Sequence, residues 1–377
     1  MCCWVLAAAL AAAGHANASG VASPPSVPAE AYLLVDHVTG SVLAEANADR
    51  PLPPASLTKL MTAYVVFDAL RNGRIAPDDR VLVSEKAWRT GGSRMFIEVG
   101  TEVAVADLLH GLIVQSGNDA AVALAEHVAG SEEAFVAMMN ERAAALGMAS
   151  TTFRNATGLP AAGHLTTARD LAVLARALVD DFPEYHSLYA EREFTYNGIR
   201  QYNRNRLLRR DPSVDGLKTG YTSRAGYCIV VTAAREGRRL VAVVLGADSS
   251  RARRSAAQSL LDYGFSAFET YKLFAKGEPI GAARVWKGVA DSAAVGLTQD
   301  VYVTIPRGAY GALSAVMQLP AALVAPVQSN VEIGEVSVSL DGEPLLTAPL
   351  VVLDAVSVGG LWTRVKHALL MRLEDDE

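Results

Sequence analysis

Two rhythms of apolar and polar positions divide this chain. "AYLLVDHVTGSVLAEANAD" (31–49) reads as a β-hairpin turning near His37–Ser41, with Thr39-Gly40 as the breaker. Residues 56–71 follow a helical pattern instead. Leu57, Leu60, Met61, Tyr64, Val65, Phe67 and Leu70 cover nearly its whole circumference, which predicts a helix in the middle of a domain. Further helices are predicted at 105–115, 118–129, 131–146 and 166–180. "AGYCIVVTAA" and "RLVAVVLGAD", around the polar turn "REGRR", predict a strand pair, and "RRSAAQSLLDYGFSAF" a closing helix. The expectation is an α+β domain over residues 29–268.

From about 270 the pattern shortens. Residues 272–358 are β-rich segments separated by Gly, Pro and Asn/Asp turns, with no helix, which predicts a small all-β domain. It has no clustered nucleophilic or titratable residues, so it reads as a spacer or interaction module. Residues 360–374 turn helical again. Leu361, Trp362, Val365, Leu369 and Leu373 share one face, and Arg364, Lys366, His367 and Arg372 lie elsewhere on the wheel. Such a helix is too short and too charged to span a bilayer and fits a headgroup layer, with its basic residues toward anionic lipid. The alternative is a helix packed on the protein's own surface.

Composition narrows the class. With 377 residues, 51% hydrophobic and 20% charged, the chain can build more than one core and is not disordered. A net charge of −6 without a long basic run excludes nucleic acid as an expected partner. Residues 4–13 are apolar but short, and Ala16-Asn17-Ala18 follows, so residues 1–18 are expected to be a signal peptide cleaved after Ala18. Cys228 is then the remaining cysteine, inside an apolar run, and is expected to be a small buried side chain. The histidines are scattered without ligand spacing, so neither a metal nor another cofactor is expected.

Three short motifs carry chemistry. Ser56 and Lys59 stand one helical turn apart, so both project to one face. A serine hydroxyl needs a base, and a lysine is a base only when burial or a neighbouring cation lowers its pKa. Ser116-Gly117-Asn118 falls between two apolar helices, and Lys218-Thr219-Gly220 at the start of the strand pair. Each alone has a plain structural alternative: a capped helix, another cap, a strand edge. In this order they match the three-part signature of the penicillin-recognising serine acyltransferases.

The similarity extends beyond the motifs. "PASLTKLMTAYV", "FIEVGTEVAVADLLHGLIVQSGNDAAVALAEHVAGS", "MNERAAALGMASTTFRNATGLP", "HLTTARDLAVLARAL", "FTYNGIRQYNRN" and "VDGLKTGYTSRAGYCIV" resemble the low-molecular-mass penicillin-binding proteins that are D-alanyl-D-alanine carboxypeptidases. The small β domain and amphipathic tail match that family's layout. The resemblance implies a β-lactamase/transpeptidase-like catalytic fold. It implies Ser56 as acylated nucleophile, Lys59 as its base, and Ser116 as proton relay to the leaving amine. Asn118 would hold the substrate's backbone amide. Lys218 and Thr219 would bind the terminal carboxylate, with Lys218 also holding down the pKa of Lys59. Gly220 and Tyr221 complete the site, the backbone amides of Ser56 and Tyr221 forming an oxyanion hole. An arginine would grip the carboxylate, with Arg253 the best match and Arg251 and Arg254 as rivals. The implied partners are a peptidoglycan pentapeptide ending in D-Ala-D-Ala, β-lactam antibiotics, and the periplasmic membrane surface. Alternatives with similar chemistry are a DD-endopeptidase and a class A β-lactamase, for which Glu193 and Asn197 have the Glu-x-x-x-Asn spacing. A non-catalytic wall-binding protein is the alternative from another class.

Overall fold

A computed structural model describes residues 23–375; the expected signal peptide lies outside them. The hairpin forms as β1 (Ala31–Asp36) and β2 (Val42–Ala46). A central helix follows, α1 (Thr58–Arg71), with every residue from Thr58 to Leu70 buried. Next come α2 (Asn118–Ala129), α3 (Glu132–Ala145) and α4 (Ala168–Asp181). The expected strand pair is a run of three: β3 (Val214–Thr222), β4 (Gly226–Arg235) and β5 (Arg238–Ala247), before α5 (Ser250–Ala267). Lys218 therefore sits in the middle of β3, not at the start of a pair.

The five strands form one antiparallel sheet in the order β2-β1-β5-β4-β3, which leaves β3 as an edge. Side chains alternate between its faces. Leu33, Val35, Val241, Val243 and Leu245 pack with α1, α2 and α4 in one core. Leu34, Ala242 and Val244 pack on the other face with Ala256, Ala257, Leu260 and Leu261 of α5. Burial on both faces is why these strands read as unbroken apolar runs.

Two details near the start of α1 differ from the expected helix. Ala55–Leu57 is a 3₁₀ turn, with Ala55 at φ 48°. The N-cap of α1 is Leu57, without a side-chain hydrogen bond, so Ser56 is not a helix cap. The helix predicted at 105–115 is α-helical over Val105–His110 and widens to a π turn over Gly111–Gln115. It ends on Ser116 in the left-handed region, φ 66°.

After α5, Phe268–Phe274 pairs with Val301–Pro306, and a six-stranded sheet is built from 281–352. Tyr310–Ala312 is the one helical turn among the described residues of 272–358. The cores of this region share no buried residue with the two around the first sheet. Polar contacts join them. Buried Asp36 accepts hydrogen bonds from Arg238 (2.9 Å) and Thr270 (2.6 Å), and Thr39 meets Thr304 at 2.7 Å.

The terminal helix, α6 (Leu361–Asp375), leaves its apolar stripe in solvent: Trp362 is 86% exposed and Leu369 61%. One expected member of its basic face is misplaced. His367 is buried, its ring 5.2 Å from Trp286, and its Nδ1 accepts the Lys287 amide hydrogen. No helix among the described residues is long and apolar enough to cross a membrane.

Candidate active site

Three elements meet at Ser56. The 3₁₀ turn presents it half-buried at the head of α1. β3 crosses beside the turn at Gly220, where an added Cβ would come within 3.1 Å of both the Ser56 amide nitrogen and Ala55 Cβ. Below it runs the loop Asn155–Gly158, whose Asn155 Oδ1 accepts hydrogen bonds from the amides of Thr157 and Gly158. Gly158 has φ 86°, and a Cβ there would lie 1.9 Å from the Ala55 carbonyl oxygen. Only glycine permits this approach.

A cavity of about 620 Å³ opens over the turn. Ser56, Ser116, Thr219, Gly220, Tyr221 and Arg253 line it, so six of the expected residues share one cavity. Lys59, Asn118 and Lys218 are buried, at 1%, 4% and 3% exposure. The Lys59 amine donates to Asn118 Oδ1 at 2.6 Å and to the Thr157 carbonyl at 2.5 Å, and Ser56 Oγ lies 3.4 Å from it. Neutral lysine has two N–H bonds and one lone pair. In the protonated amine the third hydrogen points to Ser56; in the neutral amine, with both hydrogens on the two short contacts, the lone pair takes that place.

Electrostatics favour that neutral state. Burial pulls the Lys59 pKa down to about 7, against the buried Asp119 carboxylate, which pushes it up. Of the two expected causes, burial and a neighbouring cation, burial is the one that lowers it here. Lys218 is held well below its ordinary range by burial first, then by the charges of Lys59, Arg204 and Arg253. Its Nζ donates to the Thr219 carbonyl. Burial, opposed by Cys228 and Tyr227 and helped by Arg254 and Arg206, brings Arg253 to about 10. Arg253 donates to the Gly220 and Cys228 carbonyls at 3.1 and 3.2 Å, tying α5 to β3 and β4. Arg251 and Arg254 do not line the cavity. The Ser116 hydroxyl is buried and makes no hydrogen bond among the described residues. Tyr221 is 54% exposed, its ring 4.3 Å from Tyr227.

The family model described as D-alanyl-D-alanine carboxypeptidase matches residues 18–249. The chain belongs to that family. The model for the C-terminal domain of penicillin-binding protein 5 matches residues 268–358. The chain is 44% identical over 356 residues to the D-alanyl-D-alanine carboxypeptidase DacC of Escherichia coli, covering 92% of this chain and 89% of that one. The crystal structure of penicillin binding protein 5 from Haemophilus influenzae superposes with a TM-score of 0.85 at 40% identity, covering 89% of this chain and 99% of that one. Penicillin-binding protein D2 from Listeria monocytogenes, in its ampicillin bound form, gives 0.60 at 33% identity and covers 65% of this chain and all of its own.

As a carboxypeptidase, the chain contains supporting residues that the motifs did not single out. Thr157 contributes only a carbonyl and Gly158 only the lack of a side chain, so neither has a chemical signature. Asp119, fully buried, accepts from the amides of Met95 and Phe96 at 2.9 Å and fastens that segment to the first turn of α2. The β-lactamase spacing dissolves in this fold. Glu193 pairs with Arg200 across a hairpin whose turn is Asn197-Gly198, and neither Glu193 nor Asn197 lines the cavity.

Proposed function

We propose that this serine D-Ala-D-Ala carboxypeptidase removes the terminal D-alanine from peptidoglycan stem pentapeptides through an acyl-enzyme on Ser56. The observation that carries this reading is the Lys59 amine, buried, bonded to Asn118 and Thr157 and 3.4 Å from Ser56 Oγ. Neutral Lys59 takes the Ser56 proton as the hydroxyl attacks the penultimate carbonyl. The backbone amides of Ser56 and Tyr221 hold the oxyanion, and Gly220 keeps those two chain segments close. Ser116, with no competing bond, passes a proton to the departing amine. Water then releases the shortened peptide.

The substrate lies along the free edge of β3 as an added strand. Its terminal carboxylate meets Thr219, with Lys218 and Arg253 supplying positive charge behind it. Asn118 keeps one amide hydrogen for the substrate after its bond to Gly91. β-Lactams acylate the same serine and leave slowly, which makes them inhibitors.

The layout proposed around this chemistry is a signal peptide at 1–18, a catalytic domain at 29–268, a β-rich spacer at 272–358 and a membrane-surface helix at 360–374. The exposed apolar stripe of α6 supports peripheral attachment at the periplasmic face of the inner membrane. The test is incubation with a stem pentapeptide and with cross-linked peptide dimers. Free D-alanine from the pentapeptide, with dimers intact, is expected; cleavage of dimers alone would replace the reading with an endopeptidase.

A further inference from the structure

The protein carries a net charge of −6, yet its cavity is lined by four arginines (Arg200, Arg204, Arg206, Arg253) and no acidic residue. Arg200 is paired with Glu193, and Arg204 meets Gln115 at 3.3 Å. Arg206 is different. It is exposed, opens the 3₁₀ helix Arg206–Arg209 and makes no hydrogen bond or ion pair among the described residues. The same holds for the side chains of Arg210, just past that helix, and of Arg251 and Arg254, which flank Arg253 on α5. Asp211 is engaged by Arg235 and Gln258, and Asp248, the acid nearest Arg251 in sequence, bridges none of them. Burial and then the charges of Arg210, Arg206 and Arg251 lower the Arg254 pKa, so these guanidinium groups feel one another.

Four uncompensated like charges disfavour the folded chain unless an anion uses them. Arg206 lines the cavity with Thr219 and Arg253, which receive the carboxylate in the proposed function, on which this inference rests; Arg251 and Arg254 lie beside Arg253 on α5, outside the lining, and Arg210 is near enough to Arg254 to act on it. We propose that Arg206, Arg210, Arg251 and Arg254 form an electropositive collar that concentrates carboxylate-bearing peptides at the leaving-group end of the cleft. The collar acts through its field rather than by contact. Its effect therefore belongs in KM and in its salt dependence, not in kcat.

The test compares wild type with the triple variant Arg206→Gln, Arg251→Gln, Arg254→Gln. The probe peptide is diacetyl-L-Lys-D-Ala-D-Ala, whose sole charge is its terminal carboxylate, and acylation by benzylpenicillin is followed in parallel. At ~10 mM ionic strength, where fields reach about 30 Å, the variant raises KM and slows acylation roughly tenfold with kcat unchanged. At ~1 M salt, with a screening length of about 3 Å, the two proteins converge. Wild-type KM itself rises with salt, a readout independent of any variant. An unchanged KM at low salt overturns the collar, and so does a difference that persists at high salt. Lost binding to phosphatidylglycerol vesicles with KM unchanged assigns the patch to lipid and also overturns it. Wild-type protein that releases no D-alanine overturns the functional reading, and the collar with it.

Discussion

A lysine can act as base only with its proton gone, and at Lys59 burial serves that end against the pull of Asp119. Burial lowers its pKa from 10.5 to about 7, so the neutral form holds half the population near neutrality. The sign follows directly: below 7 the amine is protonated and cannot receive the Ser56 proton. Acylation by benzylpenicillin is expected to rise about tenfold per pH unit below 7 and to level off above it. A stopped-flow pH profile checks this; a rate that is flat across that range contradicts the assignment of Lys59 as base. The pairing of Ser56 with Lys59 was legible because both residue types have chemistry of their own. The bonds that orient the amine were not, because a backbone carbonyl such as that of Thr157 looks the same at every position.

At the scale of elements, the nucleophile is held by three pieces that approach more closely than side chains allow. The 3₁₀ turn, β3 and the loop at Gly158 converge on the Ala55–Ser56 peptide. Gly158→Ala would place a methyl 1.9 Å from the Ala55 carbonyl in a backbone conformation that L-residues rarely adopt. The turn must move, and a misplacement of about 1 Å costs on the order of 100-fold in rate. Penicillin acylation of Gly158→Ala is expected to fall by that factor, with circular dichroism reporting a folded chain; acylation at the wild-type rate counts against the close approach. The periodicity of α1 and of the buried strands was readable, because apolar runs report burial directly. The π turn before Ser116 and the 3₁₀ turn at Ser56 were not. Both are set by packing between distant segments, and a local pattern carries no record of its partners.

Across the whole molecule, the hydrophobic cores on either side of residue 268 are separate, and the contacts between them are polar, around Asp36, Arg238, Thr270 and Thr304. A chain ending at residue 268 is expected to stay folded and to keep its penicillin acylation rate, while losing association with anionic vesicles. A truncated protein without activity would show that the β-rich region props the site. The change from mixed to β-rich pattern near 270 was visible in sequence; the polar junction was not, since Asp36 and Thr270 are far apart along the chain. The central claim concerns the intact protein and one atom in it. Intact mass of the full chain after exposure to benzylpenicillin tests it most directly. One penicilloyl group per molecule is expected, located on the peptide containing Ser56 and absent from Ser56→Ala. A Ser56→Ala protein that still takes up the group would contradict the account.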